Sequence, residues 1–296
     1  DVTATSEQGP VHLLLKDVTF NTGGTKGKSG FYLGHGDAKA ASVTFQAPNQ
    51  PPIALKDFVN TSLLQEVEGN LNAQVTYDIG TISFDGKDIG SSQMLWKFAN
   101  FDIASTKNLL QFYQQKIQPQ AQAAAATGQT YTPHLSPADQ AMVQAEVGKL
   151  LAAKPHIELE KLSLKTASGE SRFNLSMDLG NPTSLDQPGA ALLKQLLTNL
   201  DAKLVLSKPM IRDLATLQAT SAGLTDPAAI ARNAQDAADS VGGMAIMFQL
   251  GKVEGDNITS TLHYANDVVD FNGEKMSAQQ FAAAMMGKFV MVTRGQ

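Results

Sequence analysis

The sequence predicts an α+β fold, in which twisted antiparallel sheet is partly covered by amphipathic helices. Segments of alternating apolar residues predict the strands, Asp-Gly and Asn-Gly dipeptides predict tight turns, and stretches with leucine or alanine at helical spacing predict the helices. The chain has 296 residues, of which 43% are hydrophobic and 17% charged, so it can bury a core. We expect one large domain or two ordinary ones.

The charge and the cysteine count exclude several kinds of site. The net charge is -5, and no run of Lys and Arg supplies the cationic face that nucleic acid requires. Without cysteine the chain cannot form disulfides, thiolate metal sites or cysteine nucleophiles. We therefore expect no nucleic-acid partner, and no motif predicts a bound cofactor.

The segments at 11–20 and 155–164 share one pattern. In each, two apolar residues alternate and two more resume out of phase, which is typical of a strand with a bulge. The matching positions, offset by 144 (157 minus 13), are Leu13, Leu15, Val18 and Phe20 in one segment and Ile157, Leu159, Leu162 and Leu164 in the other.

Three further matches keep the same order along the chain: 41–48 with 202–209, 64–70 with 250–256, and 82–94 with 269–281. Their offsets grow from 161 (202 minus 41) to 187 (269 minus 82), so the second copy would carry insertions. The pattern predicts a tandem duplication of an antiparallel sheet. The first repeat unit would cover 1–117, a connector with a helix 118–154, and the second repeat unit with helical insertions 155–296.

Helices are predicted at 188–200, at 225–241 and, within the connector, at 137–154. The first has leucines at spacings of three and four, and the second opens with Thr-Asp-Pro, a typical cap and first turn. Each unit ends with a turn, Asp85-Gly86 or Asn272-Gly273, after which we expect a helix beginning near Ser91 or Ser277.

The glycine-rich loop NTGGTKGKSG at 21–30 raises the question of phosphate binding. A phosphate loop of the form G-x-x-x-x-G-K-[ST] would need glycine at position 22, where the chain has Thr22, and it would have to lead into a helix. The following residues instead lack helical periodicity. The loop is therefore predicted to be the end of a β-hairpin, in which the glycines permit turn dihedrals.

The candidate polar sites have simpler structural interpretations. His35 lies between glycines and two residues from Asp37, a pair that could serve as a base or metal ligand, but glycines near a strand end more often mark a bulge. The five histidines have no spacing that would place two on one helical face. We expect no metal site and assign no catalytic residue.

The segment at 279–292 has apolar residues at helical spacing: Phe281, Met285, Met286 and Phe289. Core packing is the default interpretation of such a stripe. Because methionine adapts to varied partners, the alternative is an exposed apolar surface that contacts lipid or protein.

Three segments, at 30–40, 77–89 and 262–286, resemble the YdgA-like family of bacterial inner-membrane-anchored periplasmic proteins of unassigned function. The resemblance spans the whole chain and implies that it is the carboxy-terminal part of a longer protein with an amino-terminal membrane anchor. It implies a periplasmic location, and it carries no catalytic residue across. A more distant likeness, at the level of fold alone, is to AsmA-like envelope proteins that handle lipids.

The leading expectation is a non-enzymatic periplasmic envelope protein that binds an apolar ligand, such as a lipid, or an envelope partner. The alternative is a structural or assembly scaffold that acts through homodimeric protein contacts. An enzyme with an unrecognised site, drawing on His35, Asp37 or His263, is the third hypothesis. The chain begins with Asp1 and not methionine, so we expect a processed or truncated product, and the resemblance implies that a membrane anchor precedes it in the full-length protein.

Overall fold

The computed structural model describes residues 2–6, 9–126, 128, 131–133 and 135–294, and it describes no side chains at 2–9, Ala190 or 289–294. The strands are β1 (Val2–Ser6), β2 (Gly9–Lys16), β3 (Thr19–Lys26), β4 (Tyr32–Gln46), β5 (Ile53–Val67), β6 (Asn70–Phe84), β7 (Lys87–Asp102), β8 (His156–Lys165), β9 (Glu170–Leu179), β10 (Leu197–Ser207), β11 (Lys252–Glu254), β12 (Asn257–Ala265), β13 (Val268–Phe271) and β14 (Glu274–Ser277). The helices are α1 (Ile103–Phe112), continued by a π-helical turn (Tyr113–Ile117), α2 (Gln118–Ala126), α3 (Pro137–Ala152), α4 (Gly189–Leu196), α5 (Lys208–Ser221), α6 (Pro227–Met247) and α7 (Ala278–Arg294).

Within the described residues, the strands form one antiparallel sheet of 14 strands, in which the sheets of the two predicted units are joined edge to edge. The main order is β1-β2-β4-β5-β6-β7-β8-β9-β10-β12-β13-β14, while β3 pairs with β4 and β11 pairs with β12. Strand β7, from the first predicted unit, pairs with β8, from the second, from Ser91 with Lys165 to Ala99 with His156. The α+β architecture is thus confirmed, while the tandem duplication and the unit boundaries stay predictions.

The predicted hairpins are confirmed. At Asp85-Gly86 and Asn272-Gly273 all four residues have positive φ, from 51° to 89°, as a two-residue turn of type I′ requires. In the glycine-rich segment, residues 21–26 belong to β3 and residues 27–30 form the turn into β4; the pairing of the two strands runs from Thr19 with Lys39 to Lys26 with Tyr32. Because this loop connects two antiparallel strands, it has no helix N-terminus that could hold a phosphate.

The two predicted phase slips have different structures. In β8 the register shifts between Leu159 and Leu162, which is the predicted bulge. In the earlier segment the chain breaks at Asp17, with φ of 51°, so β2 and β3 are separate strands. The prediction of a single bulged strand at 11–20 was therefore wrong.

Three predicted helices, α3, α6 and α7, are confirmed, and each begins at a capping side chain. Side chains of Ser136 and Asp226 accept backbone N–H groups at the starts of α3 and α6, and Ser277 does the same for Gln280 at the start of α7. The predicted helix near Ser91 is wrong, because alternating apolar side chains keep β7 extended to Asp102. The helix at 188–200 ends at Leu196, where β10 begins to pair with its neighbours.

Helices α5 and α6 pack against each other and are joined to the sheet at strand ends. Small buried residues line their contact: Ala215 and Ala219 on α5, with Ala234 and Ala238 on α6. No helix among the described residues is long and apolar enough to cross a membrane.

Asp213 fixes α5 to the β8–β9 turn. Its carboxylate accepts hydrogen bonds from the Thr166 hydroxyl (2.6 Å), the Ser168 backbone N–H (3.0 Å) and the Ser168 hydroxyl (2.8 Å). Burial raises the pKa of Asp213, but these hydrogen bonds outweigh it and leave the pKa below its ordinary value of 3.8.

Asp213→Ala is expected to lower the free energy of unfolding by about 2 to 3 kcal/mol, because three hydrogen bonds to a charged group are lost. The lowered pKa means that this contribution is present above the unfolded-state pKa and is lost as pH falls through the folded-state value. Urea unfolding of both proteins at neutral pH and below about pH 4 measures the difference, which should shrink in acid. Asp236→Ala, which removes an exposed carboxylate of α6, is the control and should change stability by less than about 0.5 kcal/mol. An equal loss in the two variants would contradict the role of Asp213.

Much of the molecule is open to solvent. Its accessible surface is 17736 Å², whereas a compact monomer of 31.5 kDa exposes roughly 12,000 Å². A broad sheet with helices at its strand ends explains the difference, because large parts of both sheet faces remain accessible.

Candidate functional site

Cross-strand pairing gathers apolar side chains on one face of the sheet. Two neighbouring rows, each crossing β7, β8, β9, β10, β12 and β13, contain apolar residues at every position. We call these twelve residues the apolar face: Phe98, Ile157, Met177, Leu200, Tyr264 and Val269 in one row, and Trp96, Leu159, Leu175, Ala202, Leu262 and Phe271 in the other.

The intervening row points to the opposite side of the sheet, because side chains alternate along a strand. It is polar throughout and consists of Lys97, Glu158, Ser176, Asp201, His263 and Asp270. We call this side the polar face. From β7 to β13 the sheet therefore has one side suited to water and one suited to apolar contacts.

The apolar face is only partly covered. Leu159, Tyr264 and Val269 are buried, with 4%, 7% and 3% of their surface exposed, while the other nine members are half-buried. Half-buried aromatic and aliphatic side chains in continuous rows are unusual on a monomer surface, where large apolar patches tend to mark binding sites.

Both apolar rows continue into a trough in the first half of the sheet. One row extends from Phe98 through Ala73 and Leu64 to Gly34, and the other from Trp96 through Val75 and Ser62 to Gly36. The trough has a volume of about 660 Å³ and is lined by Thr22, Gly23, Gly24, Tyr32, Leu33, Gly34, His35, Gly36, Ser62, Leu63, Leu64, Ala73 and Val75. We call it the glycine trough.

Glycine is required where β3 and β4 approach each other in this trough. Gly34 has φ of 143°, and a Cβ atom there would lie 2.1 Å from the carbonyl oxygen of Gly23. A Cβ on Gly36 would instead be 3.2 Å from the Ser62 hydroxyl, in the space of the trough. Glycine at position 34 thus permits the close approach of β3 and β4, and glycine at position 36 leaves the trough open.

The predicted candidates His35 and Asp37 both contact β3. The His35 ring lies over Gly23, where a Cβ atom would be 2.6 Å from the ring Cε1 atom. Asp37 accepts a hydrogen bond of 3.2 Å from the Asn21 side chain. These contacts agree with the structural interpretation of both residues.

A second groove, of about 490 Å³, lies on the polar face and contains His263. Its Nδ1 atom is 2.7 Å from Asp201 Oδ1, and this hydrogen bond is the main cause of the lowered pKa of Asp201. His156 and Asp178 form a similar pair at 2.7 Å. Within the described residues no group of three His, Asp or Glu side chains could hold a metal ion.

The predicted contact surface on α7 lies beside the apolar face. The rings of Phe281 and Phe271 are 5.4 Å apart, so α7 contacts one end of that face. Met285 is half-buried and Met286 is 72% exposed, while the Phe289 side chain lies outside the described residues. Whether these residues form a binding surface stays a prediction.

A further apolar area lies at the corner formed by β2, β4, β5 and β6. Two adjacent rows of four directly paired residues make it: Leu13, Phe45, Ile53 and Phe84, and Leu15, Val43, Leu55 and Ile82. None of the eight is buried, and Leu15, Phe45 and Ile53 are 40%, 42% and 40% exposed. We call it the corner patch. Sequence patterns predicted strands at 41–48 and 82–94, but not the part of β5 that holds Ile53 and Leu55, nor the pairing that forms the patch.

Comparison with known proteins identifies the family. Residues 1–279 match a family described as "Bacterial protein of unknown function (DUF945)". The chain belongs to the DUF945 family. This finding confirms the YdgA-like resemblance predicted from the sequence.

Two curated relatives come from Escherichia coli strain K12. The chain is 27% identical to Protein YdgA over 227 residues, which cover 75% of the chain and 43% of that relative. It is 23% identical to the uncharacterized protein YihF over 266 residues, which cover 88% of the chain and 53% of that relative. The chain thus spans about half the length of these relatives. No solved structure matches it significantly.

Proposed function

We propose that this chain binds an apolar ligand, a lipid, in the glycine trough and along the adjoining apolar face. The continuity of the two apolar rows with the open trough carries the proposal. Covering apolar surface contributes about 25 cal/mol per Å², so a chain-like ligand lying along both would be favourable. The volume of the trough falls within the range of small-molecule sites.

We propose further that the protein is non-enzymatic and acts in the bacterial envelope, in the periplasm, with an inner-membrane anchor in its full-length form. This placement is what the YdgA-like resemblance of the sequence implies, and membership of a bacterial family agrees with it. The contacts of His35 with Gly23, and of His263 with Asp201, support structural roles for the two histidines of the enzyme hypothesis.

Filling the trough should remove the ligand. Ser62→Phe places a ring in the trough, whereas Thr61→Phe places the same ring on the opposite side of the same strand. Both positions are exposed, and phenylalanine suits a strand. We expect lipid bound to the Ser62→Phe protein to fall at least about tenfold, equivalent to about 1.4 kcal/mol, with little change for Thr61→Phe.

Native mass spectrometry of protein purified from a bacterial envelope, with lipid analysis of its organic extract, measures this difference. If the wild-type and Ser62→Phe proteins carried the same lipid mass in equal amount, the ligand would lie outside the glycine trough. Absence of any lipid from the wild-type protein, after reconstitution with phospholipid vesicles, would contradict the proposal itself.

The corner patch favours a second candidate function, a homodimeric scaffold. Its eight side chains expose an area on the order of a few hundred Å², the size at which an apolar patch on a monomer often marks an interaction site. The corner patch can pack on the same patch of a second copy, because the apolar faces of two sheets pack against each other. A clean, lipid-free dimer in the same mass spectra would favour this function over lipid binding.

A further inference from the structure

Three lysines lie in or against the turn between β3 and β4, beside one end of the glycine trough. Lys26 pairs with Tyr32, which lines the trough, and Lys28 lies in the turn that follows β3. Lys107, on α1, reaches the same turn, where its Nζ atom donates a hydrogen bond of 2.9 Å to the backbone oxygen of Ser29. We call Lys26, Lys28 and Lys107 the lysine cluster.

The charges of the lysine cluster are available to a ligand. All three side chains are exposed, and none takes part in the ion pairs found among the described residues. Two carboxylates lie on the adjacent β5–β6 hairpin: Glu66, which accepts a hydrogen bond from the Ser29 hydroxyl, and Glu68. The trough itself is lined by no carboxylate, and among these five side chains three carry positive charge and two carry negative charge.

We propose that the ligand is an anionic amphiphile, whose acyl chain lies in the glycine trough and whose phosphate head contacts the lysine cluster. This inference rests on the proposed lipid-binding function. An apolar chain within the trough brings its head to the end of the trough, where ammonium groups are strong donors to phosphate oxygens. The recognition differs from that of a phosphate loop, because it uses lysine charge and not helix N–H groups.

Charge complementarity predicts selectivity among lipids of equal chain length. Phosphatidylglycerol, with net negative charge, should bind better than zwitterionic phosphatidylcholine, because only the former gains net attraction from the cluster. The preference should weaken with salt, since the lysines are exposed and their interactions are screened.

The test uses the full chain and native mass spectrometry after incubation with vesicles of phosphatidylglycerol or phosphatidylcholine. The triple variant Lys26→Gln, Lys28→Gln, Lys107→Gln is compared with Lys16→Gln, Lys87→Gln, Lys275→Gln. Both sets remove three exposed lysines and so change the net charge equally. We expect the first triple variant alone to lose at least roughly tenfold in affinity for phosphatidylglycerol, with phosphatidylcholine binding unchanged.

The outcomes separate the two proposals. If the first triple variant keeps the wild-type preference while both lipids still bind, the lysine cluster is not the head-group site and the lipid-binding function stands. If the wild-type protein binds neither lipid, the proposed function fails as well. If free glycerol phosphate bound as tightly as phosphatidylglycerol, the acyl chain would contribute nothing to affinity, and the proposal of an amphiphilic ligand would be wrong.

Discussion

Gly90→Ala is expected to lower the free energy of unfolding by about 3 kcal/mol, because it forces apart the two strands that join the halves of the sheet. A Cβ atom at Gly90, on β7, would lie 1.8 Å from the backbone oxygen of Lys165 at the end of β8. Backbone cannot move aside as a flexible side chain can. The same region holds Thr166, which is buried and bonded to Asp213.

Gly148→Ala provides the matched control. Gly148 lies within α3 and has no neighbouring atom within 4 Å of an added Cβ, so alanine should raise stability by about 0.5 to 1 kcal/mol through helix propensity. Urea unfolding of the two variants and the wild-type protein measures both values. Similar small effects would show that β7 and β8 do not approach each other closely at Gly90.

The sequence predicted local structure well, since local chemistry determines it. Asp85-Gly86 and Asn272-Gly273 adopt the positive φ that their turn needs, and Asp226 caps α6. The prediction of a helix near Ser91 was wrong because a serine after a turn acts as a helix cap only if the residues that follow form a helix. Met94, Trp96 and Phe98 alternate in the manner of a strand, a signal that could have corrected the prediction.

Pairing between distant strands could not be predicted, because many pairings satisfy the same alternation. The single sheet depends on β7 meeting β8, across the 53 residues that lie between Asp102 and His156 (156 minus 102, minus 1). The glycine trough likewise arises only when Gly34 and Gly36 on β4 meet Leu64 and Ser62 on β5. The spaced glycines were visible in the sequence, but their alignment with the apolar rows was not.

Leu159→Ala is expected to cost about 3 kcal/mol, whereas Leu162→Ala, on the same strand and sheet face, should cost less than about 1 kcal/mol. Leu159 is 4% exposed, so its loss leaves a cavity between β7 and β9, while Leu162 is 37% exposed. Urea unfolding of lipid-free protein measures both costs. Equal costs would contradict the uneven burial of this side of the sheet.

Bound lipid should alter this comparison. Leu162 lies in the row next to the apolar face, paired with Met94 and Phe173. A ligand lying along that face and over the adjoining row would cover part of Leu162, and truncating that side chain would then weaken binding as well as packing. Because a ligand that binds only the folded state stabilises it according to its affinity, the cost of Leu162→Ala should rise in the presence of phosphatidylglycerol vesicles. Leu159, already enclosed by its neighbours, should show the same cost with and without lipid. An unchanged cost for Leu162→Ala would restrict the ligand to the glycine trough.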